Sequence, residues 1–305
     1  MDSNNKLYVV IVTYNGEKWI RHCLQSVFAS SILPYVIIVD NHSSDNTQQI
    51  VKQEFPQVEL ICSNENIGFG KANNIGIRKA LGMKDARHIY LLNQDAWVYP
   101  NTFEILIEIM NRNLQFGICS PIQLNGKGNA LDKNFLLNSS SPKFSPKFLN
   151  DLAMKSSLDE IYETSFVMAA HWLIRCSALL DVGLFSPAFP HYGEDTNLIQ
   201  RFLYHGYKIG ICPTCYACHD REDRILTPNG KIYKLYINHL VFYHNVLRLE
   251  QMRAYYTFKF MFQICTYRNV SIFQRFKTIK RMFKDIAESH SFRKIYMQKG
   301  CFIEK

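Results

Sequence analysis

The sequence predicts an α/β protein: a mainly parallel sheet flanked by helices, followed by a helical C-terminal region. Within the first 115 residues, an apolar segment of strand length, a polar turn and a segment of helical periodicity follow one another four times. This alternation is typical of parallel strands joined by crossover helices. An apolar content of 47% with 20% charged residues indicates a folded chain with a sizeable core. We expect one domain over residues 1–225 and a second region over 226–305.

The first strand is predicted over residues 7–13, whose apolar, largely β-branched side chains are typical of a strand buried on both faces. After a polar turn, apolar residues recur at helical spacing between Trp19 and Phe28. The next three strand–helix pairs are predicted at 35–40 and 47–55, at 58–62 and 67–80, and at 88–93 and 102–111.

The pattern becomes less regular in the middle of the chain. Residues 116–122 predict another strand, but residues 123–165 lose periodicity and are rich in Asn, Ser, Lys and Pro, which indicates a functional or mobile loop. A strand is predicted again at 166–174, and a last strand at 207–212. Between these two strands, Glu194 opens a segment whose apolar side chains recur at helical spacing, so a helix is predicted there.

Polar side chains stand at the ends of the predicted parallel strands. Right-handed crossovers bring the carboxyl ends of such strands to one edge of the sheet, where open α/β sheets bind ligands. We therefore expect one polar crevice lined by residues 13–15, by Asp40 and Asn41, by residues 64–68 and by residues 93–95. Each segment is also ordinary turn chemistry, since Asn, Asp and Gly commonly end strands.

The turn after the first strand argues against an NAD-binding protein. A dinucleotide-binding domain carries a Gly-x-Gly-x-x-Gly motif there, whereas residues 13–16 read Thr-Tyr-Asn-Gly. The glycines in residues 66–70 can still bring backbone N–H groups close to a diphosphate at the start of a helix. Residues 215–219 have the Cys-x-x-Cys-His spacing of haem attachment, and Cys212 extends them toward a metal knuckle, but cysteines alternating along a buried strand explain this pattern more simply.

Asp95 is a candidate ligand for a divalent cation. Mg²⁺ and Mn²⁺ prefer oxygen ligands, and the diphosphate of a substrate usually supplies several of them. His219 could complete the site as a nitrogen ligand, which would favour Mn²⁺, although a lone histidine is more often structural. We therefore expect Mg²⁺ or Mn²⁺ as a cofactor.

Glu194 and Asp195 form a second candidate group. One of these acids could act as a general base that takes a proton from a hydroxyl group. Acidic pairs are also common in the first turn of a helix, where the helix dipole stabilises them. The residues alone leave both interpretations open.

The C-terminal region carries the whole excess of positive charge. The chain has a net charge of +9, while residues 226–305 hold 15 Lys and Arg against 4 Asp and Glu, a balance of +11. Residues 273–284 predict a basic amphipathic helix. It could pack its apolar face on the rest of the protein or lie on an anionic membrane surface, and we favour the membrane. Nucleic acid is not expected as a partner, because no known binding module accompanies the charge.

The ends and the cysteines bear on the expected location. The polar N-terminus does not read as a secretory signal, and no window of the sequence is apolar enough for a membrane span. The nine cysteines are scattered, as in a protein with reduced thiols. We expect a cytoplasmic protein that lies peripherally at the inner face of the cytoplasmic membrane.

Several motifs, in this order and at these spacings, make the chain resemble the family 2 glycosyltransferases of the GT-A fold, and most of all their bacterial rhamnosyltransferase-type branch. The motifs lie at residues 10–15, 39–45, 64–74, 91–95 and 183–195. The resemblance implies an inverting transfer of a sugar from a nucleoside diphosphate donor, UDP- or dTDP-linked. The acceptor would be a hydroxyl group of a glycan or lipid-linked saccharide in cell-surface polysaccharide synthesis.

The resemblance also implies roles for individual residues. Asp195 would be the base with Glu194 supporting it, while Asp95 would bind the metal that bridges the diphosphate, with His219 beside it. Asp40 would accept a hydrogen bond from the imide N–H of a pyrimidine base. The donor-binding residues implied in this way are Thr13, Tyr14, Asn15, Asp40, Asn66, Gly68, Asn73 and Asn93.

The chain departs from the family's pattern at one position near the expected metal. The family's usual Asp-x-Asp motif reads Asn93-Gln94-Asp95 here, which predicts a weaker dependence on metal. Two alternatives stay open: a catalytically weak protein that binds nucleotide sugars, and a nucleotidyltransferase. A nucleotidyltransferase would usually carry a loop rich in Gly and basic residues after its first strand, and this chain does not.

Overall fold

The computed structural model describes residues 6–83, 85–154, 157–220, 228–248, 253–267 and 270–303. The strands are β1 (Lys6–Thr13), β2 (Tyr35–Asp40), β3 (Glu59–Cys62), β4 (Ala86–Asn93), β5 (Ala96–Val98), β6 (Phe116–Asn125), β7 (Tyr162–Thr164), β8 (His171–Arg175) and β9 (Lys208–His219). The helices are α1 (Ile20–Phe28), α2 (Thr47–Glu54), α3 (Phe69–Leu81), α4 (Thr102–Arg112), α5 (Lys133–Asn138), α6 (Phe148–Met154), α7 (Cys176–Val182), α8 (Glu194–Tyr204), α9 (Pro228–His244), α10 (Arg253–Thr266) and α11 (Ile272–Tyr296).

The strands form one mixed sheet in the order β3-β2-β1-β4-β8-β6-β9-β5, with β7 paired to β9. The first four strands of this order run parallel, as the repeated strand–helix pattern predicted. Beyond them, β8 runs antiparallel between β4 and β6. Because β1 lies between β2 and β4, the order reverses direction at β1, and such a reversal opens a crevice at the carboxyl ends of the strands.

The central strand β1 is buried on both faces, which explains its uninterrupted apolar sequence. Tyr8 and Val10 point into one buried apolar cluster with α3 and α7. Leu7, Val9 and Ile11 point into a second cluster with α1 and α4. The alternation of side chains along a strand thus divides the core into two layers, one on each face of the sheet.

The middle of the chain differs from its predicted organisation. The segment expected to be an irregular loop, residues 123–165, contains α5, α6 and β7. These elements are three to seven residues long, too short to show a periodicity. The strand predicted over residues 166–174 is shorter and later, because only His171–Arg175 pair with neighbouring strands. Conversely, β9 extends beyond Cys212 to His219 through a register shift against β6.

The C-terminal helices pack against the sheet-forming part of the chain. Phe189, just before α8, lies in a buried cluster with side chains of α9, α10 and α11. The last turns also dock, since Leu184 N–H donates to Cys301 O at 2.9 Å. The predicted boundary near residue 225 falls outside the described residues. Among the helices that the structure describes, none combines the length and the apolar character needed to cross a bilayer.

Candidate functional site

The loops after β1 and β2 are joined to each other through Asp40. In the parallel register, Thr13 and Asp40 stand opposite each other at the ends of the two strands. The buried Asp40 carboxylate accepts hydrogen bonds from Thr13 Oγ1 at 2.8 Å, from Ser43 N at 2.9 Å and Oγ at 2.5 Å, and from Gln48 Nε2 at 2.7 Å. Four such bonds use the acceptor capacity of a carboxylate, so Asp40 fixes the shape of the loop.

Asn15 and Tyr14 have different roles in the same turn. Asn15 has a positive φ of 50°, and its Oδ1 accepts from Ser44 N at 2.8 Å while its N–H donates to Ser43 Oγ at 2.9 Å. Tyr14 is held only by its backbone, which exchanges hydrogen bonds with the Gln94 side chain at 2.9 and 3.1 Å. The Tyr14 ring is 47% exposed. This turn therefore presents an aromatic face at the crevice.

A second contact chain runs from β2 to the loop before α8. Asn41 Nδ2 donates to Asn66 Oδ1 at 2.8 Å, and Asn41 Oδ1 accepts from Ile67 N at 2.9 Å. Next to them, Gly68 has a φ of +86°, and a Cβ there would lie 2.3 Å from Pro190 O. Only glycine fits this close approach. The start of α3 and the loop that leads to the acidic pair are therefore in direct contact.

Helix α3 holds the same loop from a second position. Asn74 forms two hydrogen bonds of 2.9 Å with the backbone of Phe185, donating to its carbonyl and accepting from its N–H. Asn73 is buried and donates to Phe69 O of its own helix at 3.0 Å. Asn74 therefore joins α3 to the loop, whereas Asn73 bonds within the first turns of the helix.

Asp95 and His219 come together at the end of β4 and β9. His219 Nε2 lies 3.4 Å from Asp95 Oδ1 and 3.5 Å from Asn93 Nδ2. The pairing of β5 with β9 sets this approach, because Ala96 stands opposite His219. Asn93 Oδ1 and His219 Nδ1 are buried and find no hydrogen-bond partner among the described residues. A carboxylate, an imidazole and an amide oxygen thus stand within one small volume.

His171 holds the backbone next to His219. Its Nε2–H donates to Cys218 O at 3.0 Å, and its Nδ1 accepts from Tyr90 Oη at 3.0 Å. Burial, and then the proximity of His219, lower the pKa of His171 to about 3. A neutral ring satisfies both bonds with one tautomer. His171 therefore fixes the backbone that carries His219.

The acidic pair occupies the first turn of α8, where the helix dipole favours negative charge. Glu194 is buried, and its Oε2 has no hydrogen-bond partner among the described residues. Burial, and then the neighbouring Asp195, raise the pKa of Glu194 well above the ordinary carboxyl range. Asp195 is partly exposed and accepts from Thr196 N at 2.6 Å. Glu194 is therefore the member of the pair that keeps its proton near neutral pH.

The loop before the acidic pair is shaped by α9. Gly193 has a φ of +85°, and a Cβ there would lie 2.7 Å from Val241 and 3.0 Å from Ile237. Tyr233 Oη donates to His191 O at 2.9 Å. Tyr192 has a positive φ of 66°, which is uncommon for a bulky residue. The C-terminal helices thus help to hold the backbone that positions Asp195.

The site residues predicted from the sequence fall into two connected groups. One joins Thr13, Asn15 and Asp40 at the ends of β1 and β2, and the other joins Asn93, Asp95 and His219 at the ends of β4 and β9. Gln94, bonded to the backbone of Tyr14, connects them. The acidic pair is reached through the contact of Gly68 with Pro190.

Several supporting residues were not predicted. They are Ser43, Gln48, Asn74, His171 and Tyr233. Ser43 and Asn74 lie within the quoted motifs, so the motifs signalled their segments but not their partners. His171 and Tyr233 lie outside any motif, and their partners are distant in the sequence.

The residues at the end of β4 fit a divalent cation shared with a substrate. Asp95 Oδ1 and His219 Nε2, 3.4 Å apart, can both ligate one ion, and Asn93 offers a buried amide oxygen with no hydrogen-bond partner among the described residues. Within the described part of the chain, no group of three or more His, Cys, Asp or Glu side chains could hold a metal alone. Oxygen atoms of a substrate would have to complete the coordination.

Comparisons with known proteins bear on the family and the fold of this chain. Residues 8–183, more than half of the chain, match the model of glycosyl transferase family 2. The uncharacterized glycosyltransferase YibD of Escherichia coli is 32% identical over 111 residues, which cover 35% of this chain and 31% of that protein. The match therefore spans about a third of that relative's length. The N-acetylglucosaminyl-diphospho-decaprenol L-rhamnosyltransferase of Mycobacterium tuberculosis is 24% identical over 233 residues, 70% of this chain and 76% of that protein.

The fold is similar to a solved structure as well. The crystal structure of S. aureus TarS 1–349 in complex with UDP-GlcNAc superposes with a TM-score of 0.56 at 14% identity, covering 95% of this chain and 86% of that chain. At this identity the likeness shows a common fold, and it is the GT-A fold expected from the motifs. Together with the family match over more than half of the sequence, it leads to one conclusion: the chain belongs to glycosyl transferase family 2.

Proposed function

We propose that this chain is an inverting glycosyltransferase that moves a sugar from a nucleoside diphosphate to a hydroxyl group of a glycan or lipid-linked saccharide. The observation that carries the proposal is the meeting of the strand-end loops with the acidic pair of α8. This meeting rests on the contact of Gly68 with Pro190 O, where a Cβ on residue 68 would lie only 2.3 Å from that oxygen, and on the two bonds between Asn74 and Phe185. It supports a site in which Asp195 acts as a base beside a bound sugar nucleotide.

The nucleoside end of the donor would lie against the loops after β1 and β2. The exposed ring of Tyr14 offers a stacking surface for a pyrimidine base, as in a UDP- or dTDP-sugar. Thr13 and Asn15 fix the loops around it. Since Asp40 already accepts four hydrogen bonds, an imide N–H of the base would take the place of the Gln48 amide, whose side chain is the longest of the donors.

The diphosphate would lie between the start of α3 and the end of β4. Asn66 and Gly68 shape the backbone before α3, where the dipole at the start of the helix favours phosphate, and Asn73 lies in the following turn. Asp95 and His219 would hold Mg²⁺ or Mn²⁺ together with the diphosphate oxygens. Negative charge growing on the departing diphosphate would be offset by the bound cation.

Asp195 is the residue we assign as the general base. It would take the proton of the acceptor hydroxyl as that oxygen bonds to the anomeric carbon, on the face opposite the departing diphosphate. Glu194, buried and neutral, adds no second negative charge beside Asp195 that would hinder Asp195 from acting as the base. Such a base typically contributes about 10²–10⁴ in rate.

The acceptor would be carried on a lipid or on a growing glycan of the cell surface. A relative that matches 70% of this chain is named for a decaprenol-linked saccharide and for rhamnose. With the basic C-terminal region, this relative supports a place for the enzyme at the inner, cytoplasmic face of the membrane, in contact with anionic lipid.

The test is a panel of UDP- and dTDP-sugars with lipid-linked saccharide acceptors, with release of nucleoside diphosphate as the readout. We expect acceptor-stimulated release with at least one donor. Asp195→Asn should lower turnover at least about a hundredfold while donor affinity stays within a few-fold. Asp159→Asn, an exposed aspartate far from the crevice, is the matched control and should not change turnover.

Two outcomes would contradict the proposal. Near-normal turnover in Asp195→Asn would remove that residue as the base. Tight binding of a nucleotide sugar without any release would instead favour a catalytically weak binding protein, the alternative suggested by Asn93 in place of the family's first aspartate.

A further inference from the structure

Helices α10 and α11 lie against α9 with one apolar side each. Ile264 of α10 and Met282 of α11 are fully buried in the cluster that includes Tyr236 and Leu240 of α9. The two helices are tied to each other at the turn between them, because Arg275 donates to Cys265 O and, at 2.7 Å, to Tyr267 O. This packing buries the apolar side of α10 and α11 that faces α9.

A second set of large apolar side chains points away from this packing. On α10, Phe258 and Phe262 are one helical turn apart. At the start of α11, Ile272, Phe273 and Phe276 lie next to the end of α10. These five side chains, which we call the outer face, are between 63% and 77% exposed. An amphipathic helix that only packs on its own domain needs one apolar side, so the outer face has no role in that packing.

The stretch of sequence that carries the outer face has charges of a single sign. Residues 253–284 contain no acidic residue and eight basic ones: Arg253, Lys259, Arg268, Arg275, Lys277, Lys280, Arg281 and Lys284. Lys277, Lys280 and Lys284 are exposed beside the phenylalanines of α11. Phenylalanine next to lysine is typical of segments that lie in the headgroup region of anionic membranes.

We propose that the outer face is the membrane-docking surface of this protein, inserting its phenylalanines among the headgroups of an anionic lipid bilayer. A second copy of the chain fits this surface less well, since a symmetric contact would bring two basic faces together. A neutral apolar partner would offer no charge complement to the exposed Lys277 and Lys280. The inference deepens the membrane contact included in the proposed function.

The helix α9 connects the element that carries part of the outer face to the loop before Asp195. α11 contacts α9 through a hydrogen bond between Tyr236 and Asp285 and through Arg281, which lies 4.6 Å from the centre of the Tyr236 ring. One turn earlier on α9, Tyr233 bonds to the loop before Asp195. The docking surface and the catalytic loop therefore share one rigid element, as suits an acceptor that is anchored in the same membrane.

The test measures binding of the full chain to lipid vesicles, without any substrate. Vesicles of phosphatidylcholine with phosphatidylglycerol are compared with vesicles of phosphatidylcholine alone by co-sedimentation. Each basic residue near an anionic surface contributes about fivefold in affinity, so we expect at least tenfold tighter binding to the anionic vesicles. Lys277→Glu with Lys280→Glu should remove most of this preference, whereas Lys133→Glu with Lys147→Glu, exposed lysines elsewhere, should not.

The apolar contribution is tested in the same assay. Phe273→Ser with Phe276→Ser should weaken binding to anionic vesicles at least about tenfold. Leu33→Ser with Leu114→Ser, comparably exposed residues on the sheet-forming part, should leave it unchanged. In a separate variant, Phe276→Trp should give a blue-shifted fluorescence increment with anionic vesicles that brominated lipid quenches.

Three results would overturn the inference. One is equal binding of the wild-type chain to both kinds of vesicle, and another is wild-type affinity in the double phenylalanine variant. The third is light scattering that shows a dimer which that variant converts to monomer, since a second copy would then be the occupant. None of these readouts uses turnover. A failure of the membrane-docking inference can therefore be distinguished from a failure of the proposed catalytic function.

Discussion

Asp40 illustrates how a carboxylate at the end of a strand can organise a ligand site from inside the protein. It is buried and accepts hydrogen bonds from Thr13, Ser43 and Gln48. These bonds fix the two loops after β1 and β2. The exposed ring of Tyr14 lies in the first of these loops. Asp40 can therefore matter to a binding motif because it shapes the loops, and the contact with a pyrimidine base that we propose for it would be a second role.

Glu194 makes the stability of the protein depend on pH in a direction opposite to that of most carboxylates. Its pKa is raised by burial and by Asp195, so the native state keeps a proton that the unfolded chain loses near the ordinary value of about 4.3. The contribution of Glu194 to the free energy of unfolding is therefore fully present at low pH, and it falls as the pH rises toward the raised pKa. Glu194→Gln should remove this loss.

The measurement is the melting temperature of the wild type and of Glu194→Gln as pH increases. The variant should match the wild type below about pH 4 and exceed it by at least about 2 °C at and above neutral pH. Glu108→Gln, on the exposed side of α4, is the control and should follow the wild type throughout. Parallel curves for Glu194→Gln and the wild type would show that Glu194 ionises normally.

At the level of single residues, the sequence located the polar positions better than their partners. Asp95 and His219 could be predicted as metal ligands because a carboxylate at a strand end and a histidine after a strand have recognisable chemistry. Their side chains do lie next to each other, 3.4 Å apart. His171 could not, because its bonds to Tyr90 Oη and Cys218 O depend on the pairing of β8 and β9 with distant strands. Hydrogen-bond partners across a sheet depend on the register of the strands, and the register cannot be predicted from a single sequence.

Helix α3 joins the strand-end loops, where we propose that the donor binds, to the loop that leads to Asp195, the proposed base. Its Asn74 meets both polar groups of the Phe185 backbone. Asn74→Leu would leave that N–H and that carbonyl buried without partners, at a cost of about 1–3 kcal/mol for each group. We expect the free energy of unfolding to fall by about 2–4 kcal/mol.

Urea unfolding of the variant measures this cost directly. Asn111→Leu, at an exposed position of α4, is the matched control and should change the free energy of unfolding by less than about 0.5 kcal/mol. If Asn74→Leu unfolded at the same urea concentration as the wild type, the two bonds would not be holding the loop.

Among the elements, the long and periodic ones were predictable and the short ones were not. β1, β2, β4 and α8 begin and end close to their predicted positions, since each has a continuous apolar run or a helical period. β5 has three residues, and the helix α7 follows β8 without an intervening turn signal. Such elements are stabilised by contacts with the sheet rather than by local pattern.

Over the whole molecule, the repeated strand–helix units predicted the parallel part of the sheet but not its continuation. β8 is inserted between β4 and β6 in the antiparallel sense, and the pairs it makes join residues about 80 positions apart, as between Leu92 and His171. The C-terminal region was predicted to be helical and basic. Its docking through Arg201, which donates to Leu184 O and contacts Cys301, could not be read from the sequence, because a buried arginine bonded to backbone leaves no pattern.

The central claim is that the strand-end loops and the acidic pair line a single crevice around one sugar nucleotide. Hydrogen exchange of the Asp195→Asn variant, with and without the donor that the panel identifies, tests this most directly because the variant binds without turning over. We predict slower exchange on binding in four segments at once: residues 13–17, 40–47, 64–70 and 190–196. Protection confined to one or two of these segments, or found on another surface, would contradict the account.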